Sequence, residues 1–159
     1  MYYRPYSKIN RSGGFDSGLE RKNNAVLDGS DVESFWYNSG PCVINYHMPI
    51  VNHKVKDAAL CGDCGSHNVS TAHLYTADFA FKTKSGKLII VECKGSPLAW
   101  KGETRSKHIH IKKQFPDMDL RFIFNNKHGL ISKGSKSTNI AWCKRYGFEC
   151  ETGLIPQRW

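Results

Sequence analysis

The stretch LYTADFAFKTKSGKLIIVECK, residues 74–94, predicts the centre of the fold. Two runs rich in apolar, β-branched and aromatic residues, 74–83 and 87–93, are separated by Lys-Ser-Gly. This pattern is typical of an antiparallel hairpin with a three-residue loop, whose final glycine adopts the left-handed conformation. Thr83 then pairs with Lys87, and the numbers of every two paired residues add up to 170.

This register brings two carboxylates and an ammonium group onto one face of the hairpin. Asp78 lies opposite Glu92, and Lys94 follows Glu92 by two positions on the same strand. A two-residue loop would instead place Asp78 on the opposite face from Glu92. The apolar run 88–91 leads directly into Glu92, which favours the end of a buried strand, where active sites of α/β sheets tend to lie.

Two opposed carboxylates repel each other unless a cation lies between them. Hard oxygen ligands suit Mg²⁺ (or Mn²⁺), which takes one or two carboxylates together with water and substrate phosphates. Lys94 would orient the attacking water or stabilise the charged phosphorane. We therefore expect a catalytic metal at Asp78 and Glu92 and the hydrolysis of a phosphodiester. A surface hairpin that carries a simple Glu–Lys pair is the alternative interpretation of the same residues.

Composition and charge narrow the class of partner. The chain has 159 residues, which favours a single domain over 1–159, and 23 Lys and Arg against 14 Asp and Glu give a net charge of +9. Such an excess favours nucleic acid over a membrane. No apolar run reaches the roughly 18 residues of a membrane span, and residues 1–10 lack the apolar core of a signal peptide. We expect a protein of the reducing cytoplasm.

Two basic segments are candidates for contact with DNA phosphates, the N-terminal arm and residues 101–113. The candidate side chains are Arg4, Lys8, Arg11, Lys101, Arg105, Lys107, Lys112 and Lys113. In the second segment, His108, Ile109 and Lys112 cannot all lie on one face of a helix, so part of it is a solvated surface. Phosphate contacts position DNA without reading its sequence.

The rest of the chain predicts an α/β domain with a mixed sheet. Ser17 to Glu20 is a capping-box pattern that opens a helix ending near Asp28. The further predicted elements are a strand at 35–44 interrupted by Pro41, a helix at 105–115, a strand at 121–124, and a helix at 140–146 with Gly147 after its end.

Residues 47–73 are rich in His, Asn, Gly and Cys and show no hydrophobic period, which predicts an irregular insertion organised by a metal. Cys61 and Cys64 have the spacing of a zinc knuckle, which is more plausible than disulfides in a reducing compartment. The candidates for the other two ligands are His53, His67, His73, Cys42 and His47. We favour His53 and His73, with His67 as the main rival. The alternative is a pair of reduced thiols in a loop.

Several short motifs, in the same order along the chain, resemble those of the phage endonuclease I family of Holliday-junction resolvases. They are GFDSGLE at 14–20, HLYTADF at 73–79, VECKG at 91–95, PDMDLR at 116–121, KGS at 133–135 and LIP at 154–156. One departure is Ala77, where the family has proline. The other is the cysteine-containing insertion.

The resemblance implies an active site formed by Glu20, Asp78, Glu92 and Lys94, although sequence alone assigns Glu20 to the capping box. It also implies a restriction-endonuclease-like fold and an intertwined homodimer with exchanged strands. Glu20 would then come from one subunit and the other three residues from its partner. The implied activity is Mg²⁺-dependent cleavage of branched DNA. The residues themselves leave open a restriction or repair nuclease of the same fold, and a zinc module that only binds nucleic acid.

Overall fold

The computed structural model of the chain describes residues 14–15, 17–49, 70–95 and 100–159. Within these ranges the helices are α1 (Gly18–Asp28), α2 (Gly102–Gln114) and α3 (Asn139–Tyr146), with a 3-10 turn at Gly40–Cys42. The strands are β1 (Ser34–Tyr37), β2 (Val43–Pro49), β3 (Ser70–Thr76), β4 (Phe79–Lys82), β5 (Leu88–Lys94), β6 (Leu120–Phe124) and β7 (Glu149–Thr152). No helix among the described residues is long and apolar enough to cross a bilayer.

Five strands form one sheet in the order β1-β4-β5-β6-β7. The pairs β1–β4 and β4–β5 are antiparallel, whereas β5–β6 and β6–β7 are parallel. Apolar residues of α1 and of the C-terminal segment cover one face, and those of α2 and α3 cover the other. The predicted α/β fold with a mixed sheet flanked by helices is confirmed. Residues 88–91 of β5 are continuously apolar instead of alternating, as expected for a strand buried on both faces.

The predicted hairpin register is confirmed for residues 79–82, whereas Asp78 precedes β4 and its predicted pairing with Glu92 is not part of the ladder. Phe79 pairs with Val91 and Lys82 with Leu88. The Thr83 amide donates a hydrogen bond to the Lys87 carbonyl over 2.9 Å. Gly86 has φ +82°, the left-handed conformation that the three-residue loop requires.

The prediction of one strand over 74–83 is wrong, because the chain changes sheet at Ala77 and Asp78. β3 pairs with β2 in a separate two-stranded ribbon, and Thr76 lies opposite Val43, not Lys94. The cause is a contact distant in sequence: the Ala77 amide donates to the Cys42 carbonyl over 2.9 Å. This bond holds the chain beside the ribbon until β4 begins.

The predicted strand at 35–44 is likewise divided. β1 ends at Tyr37, and Asn38 and Gly40 then adopt positive φ of 47° and 54°. The turn around Pro41 carries the chain from the five-stranded sheet into the ribbon, so the predicted interruption at this proline separates two sheets.

The insertion was predicted to be irregular throughout 47–73, and this is wrong at both ends. His47 pairs with Ala72 and Pro49 pairs with Ser70, so the ribbon extends well into the segment. Residues 50–69 lie outside the described part of the chain. Strand β7 was not predicted from the sequence, and α2 begins three residues before the predicted start, at Gly102.

Local capping chemistry explains α1 and α3, whose prediction is confirmed. The Ser17 hydroxyl accepts from the Glu20 amide at the start of α1, and the Thr138 hydroxyl accepts from the Ala141 amide at the start of α3. Gly147 ends α3 with φ +73°.

Asn23 anchors α1 to the C-terminal segment from a fully buried position. Its Nδ2 donates to the Leu19 carbonyl over 2.9 Å and to the Gly153 carbonyl over 3.0 Å. Its Oδ1 accepts from the Ile155 amide over 2.6 Å. This side chain therefore fixes the position of the helix that carries Glu20.

An ion cluster holds the start of β6. Asp119 accepts two hydrogen bonds of 2.7 Å from the Arg121 guanidinium, and its Oδ2 lies 2.6 Å from Lys87 Nζ. Hydrogen bonds from Arg121, helped by Lys87, hold the pKa of the Asp119 carboxyl at about 2.

Candidate active site

Strand β5 and the residue before β4 bring the central carboxylates together. Glu92 is buried near the end of β5, 4% exposed, and pairs with Phe122 of β6. Lys94 Nζ donates a hydrogen bond to Glu92 Oε1. Asp78 Oδ2 accepts from the Cys93 amide over 2.6 Å, so the Asp78 side chain closes onto the strand that carries the other two residues.

Two carboxylates and one ammonium group share this cluster, so one negative charge would be unbalanced if both acids were ionised. Burial, reinforced by the charges of Glu92 and then Glu20, raises the pKa of Asp78 to about 8. For Glu92, burial is the largest effect and raises the pKa, but the charge and hydrogen bond of Lys94, His108 and the Tyr75 hydroxyl together outweigh it, and the pKa lies below its ordinary value. At neutral pH, then, Glu92 is ionised while Asp78 retains a proton that a bound cation would displace.

Asp78 and Glu92 repel each other when both are ionised, and a divalent cation such as Mg²⁺ would relieve this repulsion. No group of three or more His, Cys, Asp or Glu side chains within the described residues forms a ready-made metal site. An ion held by Asp78 and Glu92 would complete its coordination with water and substrate phosphate, as Mg²⁺ commonly does.

Glu20 reaches the same cluster from α1 and is 5% exposed. Its Oε1 accepts from the Ser17 hydroxyl over 2.7 Å and its Oε2 from the Tyr37 hydroxyl over 2.9 Å. Its charge contributes to the raised pKa of Asp78, so a single chain places Glu20 near that carboxylate. Part of the predicted capping box is present, since the Ser17 hydroxyl also accepts from the Glu20 amide.

Tyr75 and His108, which the sequence did not single out for the site, contact Glu92. The Tyr75 hydroxyl donates to Glu92 Oε2, and His108 Nε2 lies 3.3 Å from the Tyr75 oxygen. Burial lowers the pKa of His108 to about 4, so the ring is neutral at neutral pH. The available signal was the spacing of His108 and Ile111, which lie three apart on the buried face of α2.

The basic residues of 101–113 divide into different environments. Lys101 and Lys113 are exposed. Arg105 donates to the carbonyls of Trp100 and Ile131, and Lys112 to those of Pro116 and Met118, so these two support the protein's own backbone. Lys107 is half-buried, with Nζ 4.4 Å from the centre of the Tyr75 ring. Arg4, Lys8 and Arg11 lie outside the described residues.

The predicted zinc ligands His53, Cys61 and Cys64, and the rival His67, also lie outside the described residues. His73 is exposed on β3, and its ring centre is 5.5 Å from that of Tyr46 on the paired strand. The zinc site stays a prediction. Cys93 is buried at 6% exposure, in agreement with its interpretation as a small core residue.

Comparison with known proteins places the chain among nucleases of bacterial viruses. Residues 67–159 match the family model described as phage endonuclease I. Endonuclease I of Escherichia phage T7 is 28% identical over 151 residues, which are 95% of this chain and 81% of that protein. Endodeoxyribonuclease 1 of Enterobacteria phage T3 is 34% identical over 84 residues, 53% of this chain and 51% of that protein. The chain, with Glu92 and Lys94 on β5 and Asp78 directly before β4, therefore belongs to the phage endonuclease I family of nucleases.

Proposed function

We propose that the chain is a Mg²⁺-dependent endodeoxyribonuclease that cuts four-way (Holliday) junctions and other branched DNA in the cytoplasm of a bacterial host. The observation that carries this proposal is the cluster of Asp78, Glu92 and Lys94, which brings two carboxylates and an ammonium group together at the end of β5. The relatives' names support cleavage of DNA, and the net charge of +9 supports a polyanionic substrate.

Each residue of the site has a defined task in this reaction. Asp78 and Glu92 would hold the metal, which when bound supplies a more acidic water and polarises the phosphate. Lys94 lies against Glu92 with its side chain 13% exposed, where its ammonium can orient the attacking water or stabilise charge on the phosphorane. Glu20 adds a third carboxylate from α1, within range of Asp78. Its partners Ser17 and Tyr37 fix its orientation.

The proposal includes a restriction-endonuclease-like fold and an intertwined homodimer. In such a dimer, exchange of segments would bring Glu20 of one subunit near Asp78 of the other, instead of near Asp78 of its own chain. Two linked sites suit a substrate that has to be cut on two strands. Among the predicted DNA contacts in residues 101–113, we favour exposed Lys101 and Lys113 and half-buried Lys107, because Arg105 and Lys112 donate to backbone carbonyls.

The test is cleavage of a four-way junction and of a linear duplex of the same sequence, each with and without Mg²⁺. We expect Mg²⁺-dependent cutting of the junction, and its loss in Asp78→Asn and Glu92→Gln, with junction binding retained because the basic surface is unchanged. Asp117→Asn, a substitution of the same type at an exposed position, is the matched control. Wild-type rates in Asp78→Asn or Glu92→Gln would refute the assignment of the site.

The same assay separates the remaining functions. Equal cutting of both substrates would indicate a restriction or repair nuclease, and binding without any cutting would indicate a zinc-containing binding module.

A further inference from the structure

We propose that Tyr75 and His108 are positioning residues that hold the Glu92 carboxylate in the orientation required to bind the catalytic metal. This inference rests on the proposed function. It concerns side chains from two elements, the ribbon strand β3 and helix α2, neither of which carries the carboxylates themselves.

The contacts form one continuous chain. The Tyr75 hydroxyl donates its only proton to Glu92 Oε2. The Tyr75 oxygen is then the acceptor for His108 Nε2, 3.3 Å away, which requires the tautomer with the proton on Nε2. Glu92 Oε1 is 4.0 Å from the same nitrogen and accepts instead from Lys94. Both oxygens of Glu92 are thereby fixed, one by the ribbon and one by its own strand.

The burial of these polar groups shows that the arrangement is not incidental packing. Tyr75 is 3% exposed and His108 is 0% exposed. Burying a polar group without a hydrogen bond costs about 1–3 kcal/mol, a cost that an apolar side chain avoids. If these positions had only to be filled, apolar side chains of similar size would therefore be the more stable occupants. The Tyr75 hydroxyl lies within hydrogen-bond distance of both Glu92 Oε2 and His108 Nε2, so it links the imidazole to the carboxylate.

The surroundings hold the two rings in place. The imidazole meets the Tyr75 ring edge-on, with centres 5.1 Å apart and planes at 89°, and packs against Trp100 and Phe122. On Tyr75, the Lys107 ammonium lies 4.4 Å from the ring centre. Such a rigid second layer determines the direction of a carboxylate ligand, and its removal typically weakens metal binding about 10–100-fold.

The experiment compares Tyr75→Phe, which removes one oxygen atom, with Tyr46→Phe. Tyr46 is a second buried tyrosine of the same ribbon, and its hydroxyl donates to Met48 Sδ over 3.6 Å, away from the carboxylates. Metal affinity is measured in two ways: by calorimetric titration of Mn²⁺ into the enzyme, and by the Mg²⁺ concentration that gives half-maximal cleavage. We expect Tyr75→Phe to weaken both about 10–100-fold. For Tyr46→Phe we expect less than a twofold change.

A second pair of variants tests the donor on α2. His108→Gln keeps an N–H that can reach the Tyr75 oxygen, whereas His108→Leu keeps only bulk. We expect the glutamine variant to retain more metal affinity than the leucine variant at similar melting temperatures, an order that a merely structural role would not produce.

Unchanged metal affinity in a folded Tyr75→Phe, or an equal loss in Tyr46→Phe, would overturn the inference. If Tyr75→Phe does not fold, equal metal affinities of the two His108 variants would overturn it instead. A wild-type protein that binds Mn²⁺ but cuts no DNA would refute the proposed function. The Mn²⁺ affinities of Tyr75→Phe and Tyr46→Phe would then still confirm or overturn the positioning role. A wild type that binds no metal would refute both.

Discussion

Replacing Asn23 by alanine tests how α1, and with it Glu20, is held in the fold. The Leu19 carbonyl keeps the hydrogen bond that the helix itself provides, but the Ile155 amide and the Gly153 carbonyl each lose a buried partner. Each unsatisfied group costs about 1–3 kcal/mol, which gives a loss of about 3 kcal/mol after partial relaxation. In a domain of this size, each kcal/mol of lost stability lowers the melting temperature by about 2–4 °C, so the melting temperature should fall by about 6–12 °C.

The assay is thermal and urea unfolding of both proteins at one fixed concentration, so that any association contributes equally. Asn24→Ala is the matched control, because it makes the same substitution one position along the helix at a residue that is only partly buried. It should change the free energy of unfolding by less than about 0.7 kcal/mol, the range of helix propensities. If Asn23→Ala were as stable as Asn24→Ala, the hydrogen bonds of Asn23 would not hold α1, and the reasoning would fail.

Three further predictions concern acid stability, zinc and the subunit origin of the site. Asp119→Asn should lower the free energy of unfolding by about 1–2 kcal/mol above pH 4. The Asp119 carboxyl has a pKa of about 2 in the folded protein and about 3.9 in the unfolded chain, so its stabilising effect is complete above pH 4 and vanishes as the pH falls through about 2. A constant difference between the unfolding free energies of the two proteins from pH 6 to pH 2 would contradict this. Elemental analysis of protein purified without chelator should find about one zinc per chain, and Cys61→Ser with Cys64→Ser should lose it; metal-free wild type would rule the site out. In a co-expressed, doubly tagged heterodimer of Glu20→Ala and Glu92→Ala chains, composite sites leave one site intact, so a junction should be nicked in one strand; absence of nicking, with junction binding retained, would exclude the exchanged dimer.

Local chemistry was sufficient to predict the parts of the fold that it determines. The Lys-Ser-Gly loop sets the register that pairs Phe79 with Val91, and the Ser17 and Gly147 caps set the ends of two helices. In each case the deciding atoms lie within a few residues of one another, and the sequence therefore contains the whole cause.

Contacts between distant residues account for what the sequence did not predict. The run 74–83 has no local break signal, and the change of sheet at Ala77 depends on the carbonyl of Cys42. His108 lies in a segment dominated by lysines, which suggests an exposed surface. Its burial results instead from the packing of α2 against Tyr75 of the ribbon and against Trp100. Asn23 looks like a polar helix residue until residues 153–155 are placed beside it.

The pairing of Pro49 with Ser70 marks a position at which the intervening segment can be replaced by another sequence. The ribbon therefore holds the two ends of the segment 50–69 side by side. Lengthening a loop whose ends are held together costs only about 0.6 kcal/mol per doubling of its length. Evolution or an engineer can therefore swap this segment for a tight turn or a foreign module, while the ribbon keeps its register and Asp78 its place.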